Sequence, residues 1–247
     1  MELSYDGTAY HGWQRQPNAL SVQEVLEARM SKLLHAEVWL TGQGRTDTGV
    51  HALRSYAHFD FEEAVPDDLL FRLNHYLPHD IVVNRLFAVP DDAHARFTAL
   101  SRSYEYHLHT RKDPFLEGRS CYVFYPLDLE AMQQAAHLLL NYRDFAVFSR
   151  SHTQVKTTLC ELSEARFEVD GHRLVFHISA NRFLRNMVRA VVGTLLEVGK
   201  GRRTPESLHA LMNSKSRSDA GMSAPACGLY LTDVRYPDWV FGEVQHE

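Results

Sequence analysis

The stretch GQGRTDTGVHA, residues 42–52, sets one carboxylate, Asp47, two positions from one guanidinium, Arg45, among three glycines. A carboxylate can act as a nucleophile or as a base, in either case only while ionised. In an extended segment residues two apart share a face, and a guanidinium within roughly 4–6 Å lowers a carboxylate pKa by ~1–3 units. Arg45 is therefore expected to keep Asp47 charged in a cleft that would otherwise favour its protonation. The other reading is a surface turn, where Asp beside Gly is common and an Arg–Asp pair contributes only ~0–1 kcal/mol. Spacing leaves both open. Gly44 and Gly49 have the gap of a phosphate-binding P-loop, but Val50 and His51 follow where lysine and Ser/Thr are required, and the GxGxxG spacing is missed as well.

The elements that must position this loop are legible in part. Ser21 and Glu24 form a capping box, and Val22, Val25, Leu26, Met30, Leu33 and Leu34 recur at helical spacing, which predicts a helix over 22–34. Pro66 with Asp67 and Asp68 opens a second helix that ends at Pro78, and a strand is expected at 81–89. Beyond residue 100 the pattern predicts a strand at 103–109, a helix over 129–140 capped by Asp128, and strands at 159–169 and 173–180, where Leu174, Phe176 and Ile178 alternate. A long helix is expected over 182–198, stopped by Gly199, then a short helix from Pro205 and a last strand over 228–236. The irregular alternation of strands and helices favours an α+β protein with mainly antiparallel sheet over a doubly wound parallel one.

Composition narrows the class. The 247 residues are 45% hydrophobic, enough for one large core or two modest ones. No run of 18 apolar residues and no signal-peptide pattern occurs, so a cytosolic location is expected. Three widely spaced cysteines, Cys121, Cys160 and Cys227, make neither a disulfide framework nor a zinc ribbon, and the 15 histidines include no HExxH, so no metal site is expected. The net charge of −5 argues against nucleic acid on average, but it is uneven: residues 1–110 carry 9 basic against 15 acidic side chains, and 111–247 carry 17 against 16. Arg182, Arg185, Arg189, Lys200, Arg202 and Arg203 face one acid, Glu197.

GRTDTGVHA resembles the GRTDAGVHA signature of the TruA family of tRNA pseudouridine synthases, and the likeness runs over nearly the whole chain. Tyr5–Thr8 with Tyr10–Gln14 is similar to the family's opening, and Ser21–Glu24 to its first helix. Residues 88–108, with HARF and R-x-Y-x-Y elements, resemble its second motif; 181–201 its third; and Gly228–Leu231 its closing strand. The resemblance implies isomerisation of uridine to pseudouridine at positions 38–40 of the tRNA anticodon arm. It implies Asp47 as the catalytic acid residue, Arg45 as its companion, Tyr104 as the aromatic at the base, and Arg189 in the MVR segment. It further implies no cofactor, a homodimer, and two related α+β lobes, 1–99 and 100–247. Each lobe is expected to be a mainly antiparallel sheet with helices on one face, flanking a central RNA-binding cleft.

The other residues fit this chemistry in more than one way. Tyr104 and Tyr106 alternate with Glu105 on the expected strand; Tyr104 either packs the core or holds an extruded base, for which stacking is worth ~1–3 kcal/mol, and Tyr106 is expected as core support. Arg182, Arg185 and Arg189 fall at i, i+3 and i+7, one stripe if helical, either solvated or phosphate-binding. Arg189, flanked by Val188 and Ala190, needs an anionic partner where buried: Asp47 or a substrate phosphate. Lys200, Arg202 and Arg203 make an RNA-facing loop or serve solubility. Tyr10, His11, Trp13, Gln14 and Arg15 either pack the first loop or contact RNA, with Trp13, Gln14 and Arg15 taken as substrate-binding. His94 and Arg96 of HARF are expected to buttress the catalytic loop. Thr48 stands where the family has alanine and is expected to be tolerated; the chain begins at Met1, later than family members do, so a short first strand is expected. The rival readings are a catalytically silent tRNA-binding chaperone, which an intact Asp47 disfavours, and a metal-dependent RNA hydrolase, which lacks clustered carboxylates.

Overall fold

The computed structural model describes residues 1–149, 156–214 and 216–241. In chain order its elements are β1 (Glu2–Tyr5), α1 (Val22–Leu34), β2 (Thr41–Gly42), β3 (His51–His58), α2 (Leu69–Tyr76), β4 (Ile81–Arg85), β5 (Ser101–His109), β6 (Cys121–Tyr122), α3 (Leu129–Leu139), β7 (Leu162–Asp170), β8 (Arg173–Ala180), α4 (Met187–Gly199), α5 (Ser207–Ser214) and β9 (Leu229–Arg235). They fall into two compact units, Met1–Leu100 with the residues from Leu231 onward, and Ser101–Tyr230. No helix among the described residues is long and apolar enough to cross a membrane.

The first unit orders its strands β4-β1-β3-β9, with β1 antiparallel to both neighbours and β2 antiparallel to β3. Its short first strand is thus held on both sides. Helix α1 spans the residues the capping box predicts: Ser21 Oγ accepts from Glu24 N at 3.2 Å, and the chain leaves through His35 in the left-handed region, φ 53°. Leu26 and Met30 of α1, Leu69 and Leu73 of α2, Leu3 of β1 and Ile81 of β4 are fully or almost fully buried and form the core. Each such side chain contributes ~1.5–3 kcal/mol by leaving water. Strand β4 ends at Arg85, short of residue 89, because pairing with β1 stops at Glu2↔Arg85. Strand β3, absent from the sequence expectation, lies between β1 and β9.

The second unit is the antiparallel series β5-β8-β7, with β6 parallel to β5. Tyr106 and Leu108 of β5, Leu174, Phe176 and Ile178 of β8, and Ala165 of β7 are buried on one face. They are covered by α3 and α4, whose Met132, Ala135, Leu139, Val191 and Leu195 are fully buried. The alternate residues Glu105, His107, His177 and Arg166 remain part-exposed and ion-paired on the other face. Asp128 caps α3 by accepting from Ala131 N at 2.9 Å. Both units are α+β with mainly antiparallel pairing, as expected.

Helix α4 departs from the expected boundary. It begins at Met187 rather than at 182, because Asn186 takes the left-handed conformation, φ 65°, and donates from Nδ2 to Ser223 Oγ at 2.6 Å. Arg182 and Arg185 therefore precede the helix, and the three-arginine helical stripe does not form.

Candidate active site

Asp47 sits on a loop fixed by the N-terminal motif. Two glycines make the approach possible. Gly12, at φ +88°, lies so near the loop that a Cβ there would meet Thr46 O at 2.3 Å, and one on Gly42 would meet Trp13 Nε1 at 2.3 Å. Trp13 N donates to Thr46 O at 3.3 Å, Gly49 N to Tyr10 O at 3.3 Å, and Val50 N closes a turn on Asp47 O at 3.2 Å. The side chain of Thr46 is buried and shares a 2.9 Å hydrogen bond with Tyr5 Oη. His51, 2% exposed, accepts from Gly7 N at 3.2 Å and lies 3.1 Å from Asp6 Oδ1. These contacts leave Asp47 half-buried between buried Thr46 and exposed Thr48.

The chain entering the loop is gripped from α1. Gln23 Nε2 donates to Leu40 O at 2.8 Å, while Leu40 N donates to Glu27 Oε1 at 3.0 Å. Gln23 and Glu27 thus hold both backbone polar groups of one residue, Leu40, from successive turns of the helix, and Gln23 Nε2 also bonds Glu27 Oε1 at 2.9 Å. Glu27 is 4% exposed, and its second oxygen lies 3.6 Å from the Arg15 guanidinium without a hydrogen bond among the described residues.

The segment bends at Gln43 and Gly44 instead of continuing as a strand, and Arg45 is exposed. Trp13 also differs: at 4% exposure, with its ring 6.2 Å from that of Tyr5, it packs the loop from inside and offers no face to a ligand. Gln14 and Arg15 are exposed, and Arg15 also lies 5.5 Å above the Trp39 ring. The hydrogen bonds of the HARF histidine close its own turn, and its ring lies 4.8 Å from that of His58.

In the second unit, Tyr104 projects from the buried face of β5, half-buried, edge-on to the Phe183 ring at 5.1 Å and 88°. Tyr106 is fully buried and donates to Pro225 O at 2.8 Å, a core role. Arg189 on α4 is half-buried; its Nε donates to Ala224 O at 2.7 Å, and Ala224 N donates back to Arg189 O at 2.9 Å. Arg185 and Arg202 are exposed and Arg182 half-buried. The Lys200 ammonium lies 3.8 Å above the Tyr125 ring. Arg203 is engaged internally, with Glu197 and with Asp219 O. Tyr5, Gln23 and His51 hold the loop but carry no sequence signal beyond motif membership, and Glu27 lies in no motif at all, since each acts through a partner far along the chain.

Comparison with known proteins shows the family to which the chain belongs. The family model described as tRNA pseudouridine synthase matches residues 3–98 and 135–237. The chain is 48% identical to tRNA pseudouridine synthase A of Bacteroides thetaiotaomicron, covering 98% of this chain and 91% of that protein. It is 48% identical to that of Porphyromonas gingivalis, over 97% of each. Against that of Acetivibrio thermocellus the identity is 40%, over 95% of this chain and 97% of the relative.

Proposed function

We propose that this chain, which belongs to the tRNA pseudouridine synthase family, isomerises uridine to pseudouridine at positions 38–40 of the tRNA anticodon arm, with Asp47 as the essential carboxylate. The observation that carries the reading is near-full-length likeness to proteins named tRNA pseudouridine synthase A. A half-buried acid on a backbone locked by Gly12 and Thr46 adds support.

The reaction breaks the N1–C1′ bond and joins C5 to C1′; a proton leaves C5 and one is taken up at N1, with no change of redox state. One fixed carboxylate is the group this requires, acting on the ribose or the base, or taking a proton from the ribose. A uridine in a stem must first leave the stack, at a few kcal/mol. The Tyr104 ring offsets part of that cost by stacking, ~1–3 kcal/mol. Exposed Arg45 fills the space the base vacates. Arg189 meets an anionic group of the substrate or of the acid itself, and Arg182, Arg185, Lys200 and Arg202 meet phosphates. On this reading the enzyme works as a homodimer in the cytoplasm.

The test is incubation with a uridine-labelled tRNA transcript in EDTA. Pseudouridine forms, unaffected by the chelator, and Asp47→Asn forms none while still binding tRNA. Strand cleavage, or a metal requirement, overturns the reading; binding without product from the unaltered protein favours the chaperone.

A further inference from the structure

The turn His94–Thr98 is bonded more closely than an exposed loop requires. His94 N donates to Thr98 Oγ1 at 2.9 Å, and Thr98 N to His94 O at 3.0 Å. Arg96 N and Phe97 N both donate to His94 Nδ1, at 3.0 and 3.3 Å. From neighbouring elements of the same unit, Ala95 N donates to His58 Nδ1 at 3.1 Å and Tyr236 Oη to Ala95 O at 2.6 Å. What this turn presents outward is a phenyl ring. Phe97 is 76% exposed, although its ring lies 4.4 Å from that of His94 and 5.6 Å from the Arg96 guanidinium carbon.

Burial of that ring would contribute ~1.5–3 kcal/mol, so the fold forgoes a gain by holding it in water. The ring is flanked by His94 and Arg96 and adds nothing to the core. Its setting selects a partner: a flat apolar face stacks on any nucleobase, and a cation beside it suits the phosphate that base carries. A single aromatic side chain is far below the roughly 800 Å² per partner that a stable protein interface needs.

We propose that Phe97 and Arg96 form a stacking contact for an unpaired base of the tRNA substrate, with Arg96 on the adjoining phosphate. The contact rests on the functional reading above and extends it to a residue outside the Asp47 loop. It selects for substrate whose loop nucleotides are free to splay outward.

Because the ring is so exposed, substitutions there leave folding intact. Filter binding of a tRNA transcript tests the contact directly. Phe97→Ala and Phe97→Leu each weaken Kd about tenfold, and Phe97→Trp restores it. In turnover, KM rises in parallel while kcat holds. Arg96→Gln lowers the salt slope of binding by about 0.7–0.9, one phosphate's worth. Ultraviolet cross-linking of the unaltered protein attaches the Phe97 peptide to a loop nucleotide. Full affinity in Phe97→Ala or Phe97→Leu, with pseudouridine still formed by the unaltered protein, overturns the contact and leaves the activity standing. Weakened binding in both, with no pseudouridine from the unaltered protein, overturns the activity and keeps the contact. If Phe97→Ala instead disperses an oligomer at constant tRNA affinity, the ring belongs between copies of the chain and the proposal falls.

Discussion

The backbone oxygen of Thr46 lies so close to Gly12 that a β-carbon on Gly12 would sit 2.3 Å from it. Two segments more than thirty residues apart thus meet at a glycine, and the residue after Thr46 is the acid. Because Trp13 N donates to that same oxygen, the position of Asp47 is set by the N-terminal loop as much as by its own glycines.

Gly12→Ala follows as a sharp test. Alanine at φ +88° is strained, at a cost on the order of 1–3 kcal/mol, and its methyl meets backbone that cannot rotate away. The loop must shift by an ångström or more, and a misplacement of that size costs about a hundredfold in rate. The variant is expected to unfold at lower urea, bind tRNA with little change, and lose kcat by about two orders of magnitude. Full turnover in Gly12→Ala would show that the loop tolerates displacement.

How much of this was legible in the sequence depends on distance along the chain. Helices α1 and α3 were, because their caps lie within three residues of the groups they satisfy. Strand β8 was, because Leu174, Phe176 and Ile178 alternate. Strand β3 was not: HALRSYAH mixes polar and apolar residues without a clean period, and it becomes a strand through its pairing with β1. The start of α4 depends on Asn186 meeting Ser223, 37 residues on, so a continuous helical pattern from 182 misled. At the site, the rule that puts residues two apart on one face assumes an extended strand, whereas the segment before Arg45 bends at Gln43 and Gly44. Trp13 looked like a ligand contact because nothing local shows that Gly42 makes room for its indole.

Stability should fall below neutral pH, and His58 gives the sign. Burial, with His94 beside it, lowers the His58 pKa from its ordinary 6.5. The unfolded chain therefore takes up a proton that the folded one refuses, so stability is fully present above that ordinary value and declines as pH falls towards the folded pKa. Protonation would also remove the acceptor for Ala95 N. Urea midpoints are expected to be lower at pH 5.5 than at pH 7.5. In His58→Gln, which keeps an acceptor but no titration, the difference should shrink; an equal slope would assign the effect to other groups.

Tyr104 separates a packing role from a stacking one. Its ring is half-buried and meets Phe183 edge-on, a contact that phenylalanine reproduces in full and leucine in volume alone. If the ring holds an extruded uracil, Tyr104→Phe keeps most of the tRNA affinity, since the hydroxyl takes no part in stacking. Tyr104→Leu loses the ~1–3 kcal/mol of base–aromatic contact, and with the base unsupported turnover falls about tenfold to a hundredfold. Thermal unfolding of the two variants serves as the control, because a purely structural tyrosine would register there and leave the two rates alike. Equal activity of Tyr104→Phe and Tyr104→Leu removes the stacking role.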